Sequence, residues 1–309
     1  MSEVSVTGRP NLRSAHESGR PSFSSALILA GTPIGNAGDA SPRLIELLET
    51  ADLIAAEDTR KLRALAARLG LEIRGKVVPC HEHNEAHLAP GLLDAVAAGQ
   101  AVVLVTDAGM PAVSDPGYRL VEQAVARGLP VTCVPGPSAV IVALALSGLP
   151  SDRFAFEGFL PRKPNARRRV LQTLNAESRT LVFFEAPHRI LESVQDFAAV
   201  FGPDRPAALC RELTKIHEEV LRGTLSELTD RLTQRAAEPG GIRGEFVIVI
   251  GPATSDDHPT RSLGSLTDEV RELTGRGASL KEAAQAVAAK HGVSKRELYN
   301  QCLSDKVEQ

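Results

Sequence analysis

From Ala26 to Leu149 the chain repeats one pattern five times: a short apolar run, then a stretch whose apolar residues recur every three or four positions. The runs are LILAG, DLIAAED, KVVPC, AVVLVTDAG and PVTCVPG. The stretches that follow them in turn are PRLIELLETA, RKLRALAARL, HLAPGLLDAVAAG, YRLVEQAVARG and SAVIVALALSG. A run that is apolar without alternation is what a strand covered on both faces requires. A helix-length stretch between each pair of runs rules out tight hairpins and leaves the parallel crossover connection. The expectation is an α/β fold with a five-stranded parallel sheet.

After Leu149-Pro150 the rhythm changes. RFAFEGFL, TLVFFEA, AALCREL and EFVIVIG read as strands, with helices such as HRILESVQDFAAVFG between some of them, which predicts a second α/β domain with a mixed sheet. GPATSDDHPTR, Gly251 to Arg261, has linker composition, and the first residues are rich in Ser, Gly, Arg and Pro. The expected organisation is a disordered lead-in over 1–25, α/β domains over 26–149 and 150–252, and a linker with a small helical tail over 253–309.

Composition excludes several classes. No apolar run reaches the roughly 18 residues of a membrane span, and no secretory signal opens the chain, so a cytoplasmic protein is expected. Cys80, Cys133, Cys210 and Cys302 lie far apart, with no CxxC pair for zinc or redox chemistry, and read as buried thiols. A net charge of -3 means that a nucleic-acid partner needs a local basic patch. Aromatic content of 4% argues against an extended base-stacking track.

Several strand-end loops carry candidate chemistry. GTPIGN, Gly31 to Asn36, lacks both the third glycine of GxGxxG and the GK[ST] ending of a P-loop. It reads as a tight turn in which Gly31 and Gly35 supply unusual backbone angles and Asp39 or Ser41 caps the next helix. TDAGMPAVSDPG, Thr106 to Gly117, and VPGPSA, around Ser138, follow adjacent apolar runs. In an open α/β sheet ligands bind at the carboxyl ends of the strands, so these two loops together predict a cofactor pocket.

HEHNEAH, His81 to His87, is not HExxH and reads as loop residues, solvated or facing substrate, rather than a metal site. AEDTRKL places Glu57, Asp58 and Arg60 at a strand end, where Asp58 or Thr59 can cap a helix or the group can rim an active cleft. FFEAPHR and RELTKIHEE add Glu185, His188, Arg189, Arg211, Lys215 and Glu218, for which surface ion pairs are the alternative. LPRKPNARRR carries five basic residues in the eight from Arg162. Phosphate contact and a solvated helix start are both open readings there. In the tail, Ala288, Gly292, Val293, Ser294 and Leu298 have helix-turn-helix spacing, equally suited to packing or to nucleic acid.

Taken in order, GTPIGN, AEDTR, HEHNE, TDAGMPAVSDPG, PGPSA, GFLPRK, FFEAPHR, RELTK and GEFVIVIGP resemble the tetrapyrrole methylase superfamily. Within it they most resemble the small-subunit (16S) ribosomal RNA methyltransferases that 2'-O-methylate a cytidine ribose at the decoding centre. The resemblance runs over residues 26 to 252, and the tail is similar as well. It implies two α/β domains with S-adenosyl-L-methionine between them, a homodimer, no metal, and the assembled small subunit as partner.

Carried over motif by motif, the resemblance assigns the cofactor to Ala108, Gly109, Met110, Pro111 and Val113, to Ser138 and Ala139, to Phe184, Glu185 and Ala186, to Leu209, and to Gly244 and Glu245. RNA is assigned to Thr32, Pro33, Gly35, Asn36 and His83, and to Arg162, Lys163, Arg167, Arg168 and Arg169. The first loop then becomes the lip of the cleft opposite the cofactor loops. One of Glu57, Asp58 or Glu185 is expected to assist removal of the hydroxyl proton. Arg60, Arg189, Arg211 or Lys215 is expected to bind phosphate or favour the developing alkoxide. The rivals are a tetrapyrrole-precursor C-methyltransferase of the same fold and a ligand-sensing nucleic-acid-binding regulator.

Overall fold

The computed structural model describes residues 25–253, 263–291 and 294–307. The lead-in, most of the linker, and Gly292 and Val293 of the tail motif lie outside these. Among the described residues, no helix is long and apolar enough to cross a membrane. Packing divides the chain into two compact units, 1–139 and 140–309.

The first unit holds a five-stranded sheet in the order β3-β2-β4-β1-β5. Its strands are β1 (Leu27–Ala30), β2 (Leu53–Ala56), β3 (Lys76–Pro79), β4 (Val102–Val105) and β5 (Val131–Val134). Every pairing is parallel, as the unbroken apolar runs predict. Successive side chains point to opposite faces, and both faces are covered. Ile28, Ala30, Ile54 and Val103 pack under α1 (Pro42–Thr50) and α2 (Thr59–Leu69), whereas Leu27, Ala55, Val102 and Leu104 pack under α3 (Glu85–Ala97) and α4 (Tyr118–Ala126). Ser41 caps α1 by accepting from the Leu44 amide, with Pro42 in the first turn, and Asp58 caps α2 by accepting from the Arg60 amide.

Helix α5 (Ala139–Ser147) leads into the second unit. Its sheet has the order β6-β7-β10-β8-β9. The strands are β6 (Phe154–Phe159), β7 (Thr180–Glu185), β8 (Pro206–Arg211), β9 (Glu219–Thr224) and β10 (Phe246–Ile250). β6 and β7 are parallel and the other pairs antiparallel, so the sheet is mixed as expected. Strand β9 is an addition to the sequence reading: EVLRGT lacks the continuous apolar run that marked its neighbours. One face is closed by α6 (Pro164–Leu174), α7 (Ile190–Phe201) and α8 (Leu225–Ala237) through Leu171, Phe197, Leu228 and their neighbours.

The tail comprises α9 (Leu263–Gly275), α10 (Leu280–His291) and α11 (Lys295–Val307). Ala288 and Leu298 are both buried in its small core together with Val270 of α9, a third helix that the two-helix reading did not contain.

Candidate active site

Three strand-end loops of the first unit form one connected cradle. Thr32 and Gly109 exchange backbone hydrogen bonds, 2.9 Å from the Thr32 amide and 3.1 Å from the Gly109 amide. The Thr32 hydroxyl also donates to the Thr106 carbonyl at 3.2 Å. GTPIGN is therefore bonded to the loop assigned to cofactor, and the expectation that it stands opposite that loop is corrected. Thr32, Pro33 and Ile34 are buried, which removes Thr32 and Pro33 from an RNA-facing surface. Gly35 and Asn36 remain accessible. Asn36 caps the following 3-10 turn, accepting from the Gly38 amide, and the Gly35 carbonyl accepts from Arg68.

Neither Gly31 nor Gly35 has a positive φ, contrary to expectation. Gly31 is required for a different reason, because a Cβ there would stand 2.6 Å from the Met110 sulfur and 2.7 Å from Gly136. The unusual angles lie instead in the next loop, at Gly109 (φ 82°), Ala112 (φ 68°), Ser114 (φ 61°) and Gly117 (φ 137°). Strain at two non-glycine residues of one loop marks a conformation that its surroundings hold in place.

Part of that hold comes from Glu85. It is 4% exposed, and Oε1 accepts from the Gly117 amide at 3.1 Å and the Leu120 amide at 2.9 Å, capping α4 from another helix. HEHNEAH thus contains a structural carboxylate, not only solvated loop residues. His83 is exposed, its ring 6.1 Å from that of His81.

Around this cradle gather more carboxylates than the sequence reading selected. Glu57, just past β2, accepts the Asp107 amide on Oε2 at 3.1 Å. Asp107 in turn pairs with Lys61 at 2.7 Å, and this hydrogen bond raises the lysine pKa. Burial, followed by the charges of Glu57 and Asp107, pushes the Asp115 carboxyl up to about 7. Asp58, by contrast, is clamped by the Arg60 guanidinium at 3.1 and 2.7 Å. That hydrogen bond holds its carboxyl far below the usual range, so it is a poor proton acceptor. Asp107 and Asp115 both stand in TDAGMPAVSDPG, and neither was singled out in the sequence, where Gly and Pro surround them.

Two polar atoms of the cradle, Thr106 Oγ1 and Asp107 Oδ1, are buried with no hydrogen-bond partner among the described residues. Buried polar groups are nearly always satisfied, so two orphans beside Gly109 fit a polar ligand held there. A concavity of about 440 Å³ lined by Arg63, Ala66, Leu71 and Val77 lies at the other, amino-terminal edge of the sheet.

In the second unit Glu185 is 2% exposed and its oxygens are occupied. Oε2 accepts from Ser193 at 2.6 Å, Oε1 accepts from the Ala186 amide at 2.9 Å, and Arg189 stands 3.4 Å away. Arg189 also donates to the Leu160 and Pro161 carbonyls. Both residues hold the β7–α7 turn and are not presented to a substrate. Arg211 pairs with Glu219 at 3.0 Å, and Lys215 bridges Glu212 and Glu245 at 2.9 and 2.8 Å. The structure thus brings Lys215 next to Gly244-Glu245. Leu209 is fully buried in the helix-covered core, with strands on both sides, so its side chain faces packing and not a ligand.

The basic loop divides. Arg167 is 2% exposed, with Nε 2.6 Å from buried Asp196, and Arg168 pairs with the other oxygen of Asp196 at 2.6 Å. Arg167 lies on the inward face of α6 with Leu171, one turn on. It is therefore a core residue, and its assignment to RNA is corrected. Arg162, Lys163 and Arg169 are exposed and have no ion-pair partner among the described residues.

The profile of the tetrapyrrole (corrin/porphyrin) methylases matches residues 26–229. The ribosomal RNA small subunit methyltransferase I of Mycobacterium tuberculosis is 48% identical over 286 residues, covering 92% of this chain and 97% of that one. A cobalt precorrin-4 methyltransferase structure matches with a TM-score of 0.54 at 19% identity, over 74% of this chain and 95% of that one. A Thermus thermophilus uroporphyrin-III C-methyltransferase complexed with S-adenosylhomocysteine matches with a TM-score of 0.50 at 19% identity, over 73% and 96%. At that identity the two structures speak for the fold alone, whereas the relative at 48% spans nearly the whole chain. The chain belongs to the tetrapyrrole methylase family and, within it, to the ribosomal RNA small subunit methyltransferases I.

Proposed function

We propose that the protein is an S-adenosyl-L-methionine-dependent methyltransferase that 2'-O-methylates the ribose of a cytidine in small-subunit ribosomal RNA. The observation that carries the reading is the carboxylate group Glu57, Asp107 and Asp115 on a strand-end cradle with two unpartnered buried polar atoms, in a chain 48% identical to a relative named for this RNA. Arg162, Lys163 and Arg169, exposed and without an ion-pair partner among the described residues, would supply the local basic patch that a chain of net charge -3 needs for RNA.

Residues Gly109 to Val113, with Thr106 and Asp107, would hold the cofactor in the first unit, and Ser138 and Ala139 are the second stretch assigned to it. The cofactor supplies an electrophilic methyl carbon on a sulfonium, with a neutral thioether as leaving group. The chain has two tasks: to hold the ribose oxygen in line and to take its proton as the O–C bond forms. Asp115 suits the second task, because a carboxyl that titrates near 7 is half ionised at working pH and still accepts a proton readily. Burial, reinforced by the negative charges of Glu57 and Asp107, holds Asp115 in that range. Lys61 balances Asp107, so that the group does not carry three uncompensated charges.

Following the resemblance, we read the protein as a homodimer that acts in the cytoplasm on the assembled subunit. The test is to offer small subunits from cells lacking this protein, with labelled methyl donor, and to map the product by mass spectrometry. A 2'-O-methylcytidine appearing only with the wild-type chain is the expected result. Base methylation, or none, overturns the reading.

A further inference from the structure

The face of the second sheet turned away from α6, α7 and α8 carries three contacting phenylalanines. Phe184 of β7 lies 4.8 Å from Phe156 and 5.6 Å from Phe159 of β6, ring centre to ring centre, at 64° and 59°. A bulge makes this grouping. Phe156 pairs with Val182 and Phe159 with Phe184, and the register shifts between Phe156 and Gly158. Without the extra residue, strict alternation would place Phe156 and Phe159 on opposite faces. Bulges re-aim side chains in this way. Phe183, one step along β7, packs in the helix-covered core, which fixes the trio on the other face.

The outcome is costly for a soluble fold unless it is used. Phe159 is 57% exposed on an edge strand, although its ring already packs against that of Phe184. Three and four residues later come Arg162 and Lys163, exposed and without an ion-pair partner among the described residues, at most about 14 Å along the chain. Their position is fixed because Arg189 clamps the intervening Leu160 and Pro161 carbonyls. A ring held with one side open, beside unpaired cations, matches a base and its neighbouring phosphate in a single strand, since every base has a π-face. Only 4% of the chain is aromatic, yet three of its nine phenylalanines meet here.

We propose that Phe159, backed by Phe184, which packs in turn on Phe156, is a stacking platform for an unpaired nucleobase of the RNA substrate, with Arg162 and Lys163 contacting the adjacent backbone. This rests on the reading of RNA as substrate and extends it to a named subsite.

The test uses the full chain and a fluorescently labelled oligocytidine strand, comparing wild type with Phe159→Leu, Phe159→Tyr and the pair Arg162→Ala/Lys163→Ala. Leu keeps apolar volume and removes the π-face. We expect it to weaken binding roughly tenfold with an unchanged salt slope, while Tyr binds as wild type. The cation pair is expected to weaken binding and to flatten the slope. Melting temperature and calorimetric affinity for the methyl donor should be unchanged in Phe159→Leu. Wild-type binding by Phe159→Leu overturns the platform. So does a loss confined to methyl-donor affinity, which would make the ring part of the cofactor site, or a change in oligomeric state, which would make it a self-association surface. Because binding is read without turnover, failure of the platform is separable from failure of methyl transfer to ribosomal RNA.

Discussion

Gly31 and Gly136 meet backbone to backbone at the ends of neighbouring strands β1 and β5. A Cβ on Gly31 would stand 2.7 Å from the Gly136 nitrogen and Cα, and one on Gly136 would stand 2.6 Å from the Gly31 carbonyl oxygen. The two loops come this close only because neither residue has a side chain, and the contact sets where Met110 and the rest of the Thr106–Gly117 loop lie.

Gly31→Ala and Gly136→Ala must therefore separate two segments of main chain. Each is expected to destabilise by about 1–3 kcal/mol, the usual cost of overpacking. Each should also weaken methyl-donor binding, measured by calorimetry. Gly91→Ala is the control: its Cβ meets nothing within 4 Å inside α3, so it should stabilise by about 0.5–1 kcal/mol.

Asp115 links stability and activity to pH. Its folded value of about 7 lies above the unfolded value of about 3.9, so the native state binds the proton more tightly in between. Its contribution to stability is complete below pH 4 and is lost as pH rises through 7. Asp115→Asn removes this dependence, so the variant should gain melting temperature relative to wild type on going from pH 4 to 8. Its turnover should fall about a hundredfold or more, with loss of the rising limb near pH 7 and with methyl-donor binding retained. A variant with full turnover would return the role of base to Glu57.

The basic loop should split by function. Arg167→Ala leaves Asp196 buried with only the half-exposed Arg168 for a partner, and is expected to cost about 3–5 kcal/mol on thermal or urea unfolding. Replacing Arg162, Lys163 and Arg169 by Ala should leave stability intact. The same replacement should lower the salt slope of single-strand RNA binding by about 0.7 per cation.

Glu85 supports the strained loop from outside it. Glu85→Ala leaves the Gly117 and Leu120 amides without their acceptor, at a cost of about 1–3 kcal/mol, and should weaken methyl-donor binding. Glu85→Gln keeps an acceptor oxygen and should retain most of both properties. Equal losses in the two variants would show that charge, not the cap, matters here.

The parallel sheet of the first unit was legible in the chain because its strands are covered on both faces. LILAG and AVVLV must then be apolar throughout, and the helix between each pair leaves one way to connect them. The Ser41 and Asp58 caps were legible for a similar reason, since a cap is a contact between residues two or three apart. What charged residues do was not legible, because their partners are distant in sequence. Arg167 meets Asp196 across two helices, Glu85 caps α4 more than thirty residues away, and Glu57 reaches the Asp107 amide fifty residues on. A charged side chain near a turn reads the same whether it faces water, a core partner or a ligand. The hydrophobic pattern by itself determined the layers of the first unit. Only the tertiary structure, by bringing distant charges and two bare glycines together, decided which polar groups were used up in holding the fold and which remained for chemistry.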